Sequence, residues 1–198
     1  MKPLTILTAI LLAFSSTAFS QDAIKEINNP LQDAREGDTV EYSIESVLLD
    51  SPVGKNEKHT NTSSLSVVEI DRQLVKLEVK SDIREGSQTI SLTSRGTMVD
   101  LLTGAYQDVN ISSSSVTEET VEFEGKSYVC KVIHLKFTAK TKHMGMTVPV
   151  KVDQKVWYSN EIPVHGQVKS VVDMEMTILG DKKTHFQTTT TLKSFTEG

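Results

Sequence analysis

Cysteine is all but missing: Cys130 stands alone, so no disulfide can close within the chain. An excess of positive charge is missing too. Lysine and arginine total 21 against 26 acidic residues. The first 20 residues hold one charge, Lys2, which leaves 20 basic and 26 acidic groups in residues 21–198, a formal −6. A chain without a basic stripe lacks the footprint that phosphate contacts require, which excludes nucleic acid as partner. Beyond residue 20 no apolar run approaches the roughly 20 residues that span a bilayer as a helix, so no transmembrane segment is expected. What remains is a mildly acidic chain whose residues 21–198 suffice for one domain, burying roughly 70% of its unfolded surface.

The one long apolar stretch lies at the start. Lys2 supplies a short basic beginning, Leu4 to Phe14 an apolar core, and Ala18 and Ser20 small residues ahead of Gln21. This is the pattern of a secretory signal cleaved after Ser20, and residue 21 is not the cysteine of a lipid attachment site. Residues 1–20 are therefore read as signal peptide and 21–198 as a single β domain, soluble in the periplasm or secreted.

In the mature part apolar residues recur at every second position. Val40, Tyr42, Ile44 and Leu48 form one set, Val75, Leu77 and Val79 a second, Val148, Val150 and Val152 a third, and Val172, Met174, Met176 and Ile178 a fourth. Period two marks strands with one dry and one wet face, the pattern an antiparallel sheet tolerates. Turn signals divide the runs at Asp71-Arg72, Arg84-Glu85-Gly86-Ser87, Glu124-Gly125-Lys126 and Gly180-Asp181. Strands are expected near 38–49, 62–70, 73–82, 87–94, 97–102, 116–124, 127–140, 146–159, 167–179 and 183–196. Helix is scarce: a turn or two between Asn29 as cap, Pro30 as first helical residue and Gly37 as stop, with Ala23 to Ile27 a weaker second piece. The run Ser112 to Ser115, after Gly104 and Asn110, reads as the longest linker. The expected fold is all-β, a strongly curved antiparallel sheet of nine to eleven strands with a short N-terminal helical segment.

Catalytic signatures are missing. Gly125-Lys126-Ser127 lacks the earlier glycine of a phosphate loop, since Thr120 stands there, and no zinc-protease helix or Gly-x-Ser-x-Gly elbow occurs. Glu118, Glu122 and Glu124 share one strand parity opposite Val121 and Phe123, as a solvated face would, and Glu119 completes an acidic cluster. Cys130 sits in a strand apolar on both parities, where a thiol behaves as a small hydrophobe. His134 reads as a polar residue on a partly wet face. Asn61-Thr62-Ser63 and Asn110-Ile111-Ser112 match the N-glycosylation acceptor pattern. No enzyme activity and no cofactor are expected.

Methionine and histidine gather in the second half as His143-Met144-Gly145-Met146 and Met174-Glu175-Met176, with His165 between them. Thioether and imidazole suit Cu(I), so His143, Met144, Met146, Met174 and Met176 form an alternative metal set. Met174 and Met176 also continue the inward parity of Val172 and Ile178. Methionines on a concave apolar surface adapt to flexible ligands such as acyl chains.

The segment Lys155-Val156-Trp157-Tyr158-Ser159-Asn160-Glu161-Ile162-Pro163-Val164-His165-Gly166-Gln167-Val168-Lys169-Ser170 resembles exported bacterial proteins of the LolA/LolB-like type. In those proteins a strand ending in Trp-x-Ser leads through a Val-Pro-Gly-type turn into a Val-Lys-Ser strand. Gly37-Asp38-Thr39-Val40-Glu41-Tyr42 is similar to the first strand of uncharacterised relatives. The resemblance implies an incomplete barrel whose concave side covers an apolar cavity. Trp157, on the wetter parity of its strand, is expected to cover an edge beneath the Ile162 to Gly166 turn.

The functional expectation is a non-enzymatic carrier or binding protein for a lipid or acyl chain, lined by Tyr42, Ile44, Val150, Val152, Val172, Met174 and Met176. A hydrophobic small molecule is the expected partner, with an envelope protein as a second. The alternatives are Cu(I) handling by the Met/His set and a structural or adhesive β module without ligand.

Overall fold

The computed structural model describes residue 24 and residues 27–50, 57–82, 84–91, 96–143, 145–178 and 182–198. The expected signal peptide, most of the Ala23 to Ile27 piece, Met144 and the Gly180-Asp181 turn lie outside them.

Nine strands follow in chain order: β1 Thr39–Asp50, β2 Lys58–Asp71, β3 Leu74–Ser81, β4 Arg84–Ser91, β5 Gln107–Phe123, β6 Lys126–His143, β7 Met146–Tyr158, β8 Gln167–Ile178 and β9 Lys182–Thr196. They form one sheet in the order β4-β3-β2-β1-β9-β8-β7-β6-β5, antiparallel at every junction and curled into a half-barrel. Two meanders are thus joined where the first strand pairs with the last. A helix, α1 Met98–Thr103, links β4 to β5.

Three expectations are corrected. Residues 97–102, read as a strand for their apolar content, belong to α1. Thr97 accepts from the Asp100 backbone N–H and Asp100 from that of Thr97, a reciprocal cap that starts the helix. Ser112 to Ser115 is not a linker but the middle of β5, paired with β6 as Ser113↔Lys136 to Ser115↔His134. Arg84 to Ser87 is not a turn: these residues open β4, and the hairpin closes between Ser81 and Arg84. Near the start of the described chain, Pro30–Asp33 make one 3-10 turn capped by Asn29, whose side chain accepts from the Leu31 N–H.

Tracing the register strand by strand places Val40, Tyr42, Val67, Val75, Leu77 and Ile90 on the same face as Ile133, Leu135, Phe137, Val150, Val152 and Met176. We call this the inner face. It carries most of the core. Strand β6 changes its buried side midway. Tyr128, Cys130 and Val132 are buried on the outer face, whereas Ile133, Leu135, Phe137 and Ala139 are buried on the inner one. The first group joins a cluster with Trp157, Ile162 and Val164; the second packs with Val148, Val150, Val152, Met176 and the α1 residue Met98. The mixed parity of this strand in the sequence is thereby explained.

Candidate functional site

Apolar residues on the inner face fall into a cross-strand row: Leu48 of β1 opposes Phe186 of β9, which opposes Met174 of β8, then Val152 of β7, Phe137 of β6 and Ile111 of β5. At neighbouring strand spacings of about 4.8 Å, the stretch from Leu48 to Val152 covers roughly 14 Å. Val152 and Phe137 are fully buried, and Tyr106 meets Phe137 edge-on at 5.2 Å. Leu48, Phe186 and Met174 are only half-buried. The row therefore runs from a closed core out to an accessible apolar end on β8, β9 and β1.

All seven expected lining residues share the inner face. Val150 opposes Met176, Val152 opposes Met174, Val172 opposes Gln154, Tyr42 opposes Leu192 and Ile44 opposes Thr190. Packing divides them. Val150, Val152 and Met176 are buried in the cluster that α1 joins, with Val172 and Met174 against it, whereas Tyr42 and Ile44 belong to the other cluster. Tyr42, Val150, Val152 and Met176 are covered by the protein's own atoms; Ile44, Val172 and Met174 keep accessible surface. Leu48 and Phe186 extend the accessible patch and were not among the expected lining. Leu48 belonged to the period-two set of β1, and Phe186 is the one aromatic before a threonine run, His185-Phe186-Gln187-Thr188.

One row further along, the same face turns polar across β1, β9, β8 and β7, and on β2 His59 opposes Ser46 with Glu57 3.6 Å from its ring. Ser46 opposes Thr188 with a hydroxyl pair at 3.2 Å, Thr188 opposes Val172, and Val172 opposes Gln154; beyond these, Thr190 opposes Ser170. From Tyr42 to Leu48, Thr184 to Leu192, Ser170 to Met176 and Val150 to Val156, no Asp, Glu, Lys or Arg stands on the inner face among the described residues. The outer face of the same segments carries Glu45, Lys151, Asp153, Lys155, Asp173 and Glu175.

Among the described residues Met146 is not drawn to Met174 and Met176. Met146 lies four residues before Val150 on β7, about 13 Å along the strand from the level of Met176. Met144 lies outside the described residues. Among the described residues no three His, Cys, Asp or Glu side chains are grouped to hold a metal ion.

The remaining polar candidates are committed to local contacts. On the outer face His134 Nε2 meets Asp153 at 2.5 Å, and Lys136 reaches the other Asp153 oxygen at 2.7 Å. Burial alone would raise the Asp153 carboxyl, but the bonds from Lys136 and His134 outweigh it and hold it below the ordinary carboxylate range. His185 meets Asp173 in the same way at 2.5 Å. Glu119 accepts from Trp157 and Lys155, and Glu122 contacts Ser127. An open depression of about 350 Å³, lined by Asp108, Lys140, Lys151 and Glu175 among others, shares only Val150 with the expected lining.

The segment between β7 and β8 closes one end of the core. Ile162 and Val164 are buried, Val164 holds a positive φ of 65° that a β-branched residue rarely takes, and Gly166 follows at 69°. Tyr42 donates its hydroxyl to the Gln167 carbonyl at 3.0 Å, which leaves its oxygen to accept from His165 Nδ1 at 3.3 Å. Burial pushes the His165 imidazole down to about 4.

No protein-family model matches the chain, and no curated protein or solved structure matches it either.

Proposed function

We propose that the protein is an exported, non-enzymatic carrier or binding protein that holds a lipid or acyl chain on the inner face of its half-barrel. The observation that carries this reading is the half-buried end of the apolar row, Leu48, Phe186 and Met174, continuous with the closed core at Val152 and Phe137. Burying ten methylenes against such a surface gives on the order of 8 kcal/mol before ordering costs, enough for apolar shape alone to retain a chain. The pattern of residues 1–20 supports a periplasmic or secreted location, and the likeness of the Trp157 segment to LolA/LolB-like proteins supports the same class.

Native mass spectrometry of the protein purified without detergent tests the reading. Adducts of lipid mass should accompany the chain, disappear after solvent extraction and return on incubation with long-chain lipid. Phe186→Asp and Met174→Glu should each abolish the return while the circular dichroism of the sheet persists. A wild-type chain that neither carries nor accepts lipid overturns the proposal.

A further inference from the structure

We infer that the convex outer face of β6–β9 is a docking surface for an anionic lipid bilayer, with phosphate heads seated on its lysines. The inference holds whatever the hollow carries, since the inner face points the other way.

Four segments paired side by side build this face: residues 132–142, 147–157, 169–177 and 183–191. Their outward positions carry Lys136, Lys140 and Lys142 on β6, Lys151 and Lys155 on β7, Lys169 on β8 and Lys183 on β9, against Asp153, Asp173 and Glu175. Asp108 and Glu119 reach in from β5 to Lys140 and Lys155. Seven of the 20 basic and five of the 26 acidic residues of 21–198 thus gather here, which leaves 13 basic against 21 acidic for everything else. An acidic chain has one positive face. Lys142 and Lys151 form no ion pair among the described residues: Lys142 opposes Thr147, and the Glu175 opposite Lys151 is bonded to Lys183 at 2.8 Å. Lys140 and Lys151 also line the open depression of about 350 Å³, beside Thr138 and Thr177. Ammonium groups with hydroxyls between them suit a phosphate head. A protein partner would ask for an exposed apolar anchor instead. The exposed apolar side chains of β6 and β7, Val129 and Met146, stand on the inner parity, and Trp157 is buried with Lys155 and Lys169 over its ring. Charge without an anchor fits lipid headgroups.

Flotation of the purified protein on phosphatidylcholine vesicles, with or without about 30% phosphatidylglycerol, tests this in low salt. The wild-type chain should rise with the anionic vesicles alone and be released by about 0.5 M NaCl. Lys142→Gln with Lys151→Gln should weaken the partition roughly tenfold. Lys58→Gln with Lys76→Gln, an equal loss of charge on β2 and β3, should leave it within about twofold, with the circular dichroism of both variants unchanged. The inference falls if anionic vesicles leave the protein behind, if neutral vesicles or high salt retain it as well, or if the two lysine pairs act alike. Retention on immobilised polyglutamate without flotation assigns the face to an acidic protein and overturns the bilayer. None of these outcomes alters lipid adducts in mass spectrometry, so the carrier reading stands or falls separately.

Discussion

Trp157 donates its indole N–H to Glu119 at 2.7 Å, although the two residues lie on β7 and β5 with all of β6 between them. Lys155 binds the second Glu119 oxygen at 3.2 Å, and Lys155 and Lys169 stand 4.5 and 5.0 Å from the indole centroid. The expected cover beneath the Ile162 to Gly166 turn is thus a cluster in which the tryptophan buries its body and spends its one donor. Burial works to raise the Glu119 carboxyl, but the bonds from Trp157 and Lys155 prevail and lower it. Glu119→Ala leaves a buried indole N–H without a partner and should cost about 1–3 kcal/mol, with Glu119→Gln milder because an acceptor survives. Urea unfolding followed by the emission of the single tryptophan reads both.

Gly166 and Gly125 provide a matched pair. Both hold positive φ, 69° and 78°, yet a Cβ at Gly166 would fall 2.1 Å from Tyr158 Cε2, whereas nothing lies within 4 Å at Gly125. Gly125→Ala should lose about 1 kcal/mol from backbone strain alone. Gly166→Ala should lose at least about 2 kcal/mol more, since the Tyr158 ring must move from its packing against the cluster of Ile24, Met98 and Ile133. Equal losses in thermal unfolding would show that the ring yields freely.

His165 predicts an acid limit. Its folded value, near 4, lies below the ordinary 6.5, so the unfolded chain binds the proton more readily. The contribution of the neutral ring is complete above pH 6.5 and declines as pH falls toward 4, because there the unfolded state holds more protons than the folded one. The loss is bounded by about 3 kcal/mol, and less follows because the ring keeps some exposure. In His165→Phe the slope of stability between pH 6.5 and 4 should flatten. A slope identical to wild type would place the transition on other groups.

Cys130 should resist alkylation. The side chain is buried, and desolvation first, then Glu119 and Glu161, push the thiol up to about 11. Iodoacetamide at pH 8 should modify the folded protein at least about a hundredfold more slowly than the urea-unfolded chain. Fast modification without denaturant would mean that β6 opens locally.

Much of the sheet is visible in the sequence because its strands alternate. Val148, Val150 and Val152, or Val172, Met174 and Met176, announce both the strand and its dry face. What alternation did not reveal is the first half of the edge strand β5, whose later part was expected at 116–124: Val116 is the one buried residue of β5, and the Ser112 to Ser115 stretch is held by pairing with β6. Nor can it separate a six-residue apolar helix from a strand; the Thr97 and Asp100 cap was the available signal. The accessible patch was half legible. Met174 and Leu48 lie in period-two runs, but only the β1 to β9 to β8 register brings them to the two sides of Phe186.

That register also sets the order in which the molecule can assemble. The pairing of β1 with β9 is the sole strand pairing that joins the β1–β4 meander to the rest of the sheet among the described residues. A ribosome releases β9 after every other strand, so the sheet is not continuous until the chain is nearly complete. A product stopped before Lys182 would present two raw sheet margins, open to pairing with a neighbour's strands, and would be prone to clump rather than fold.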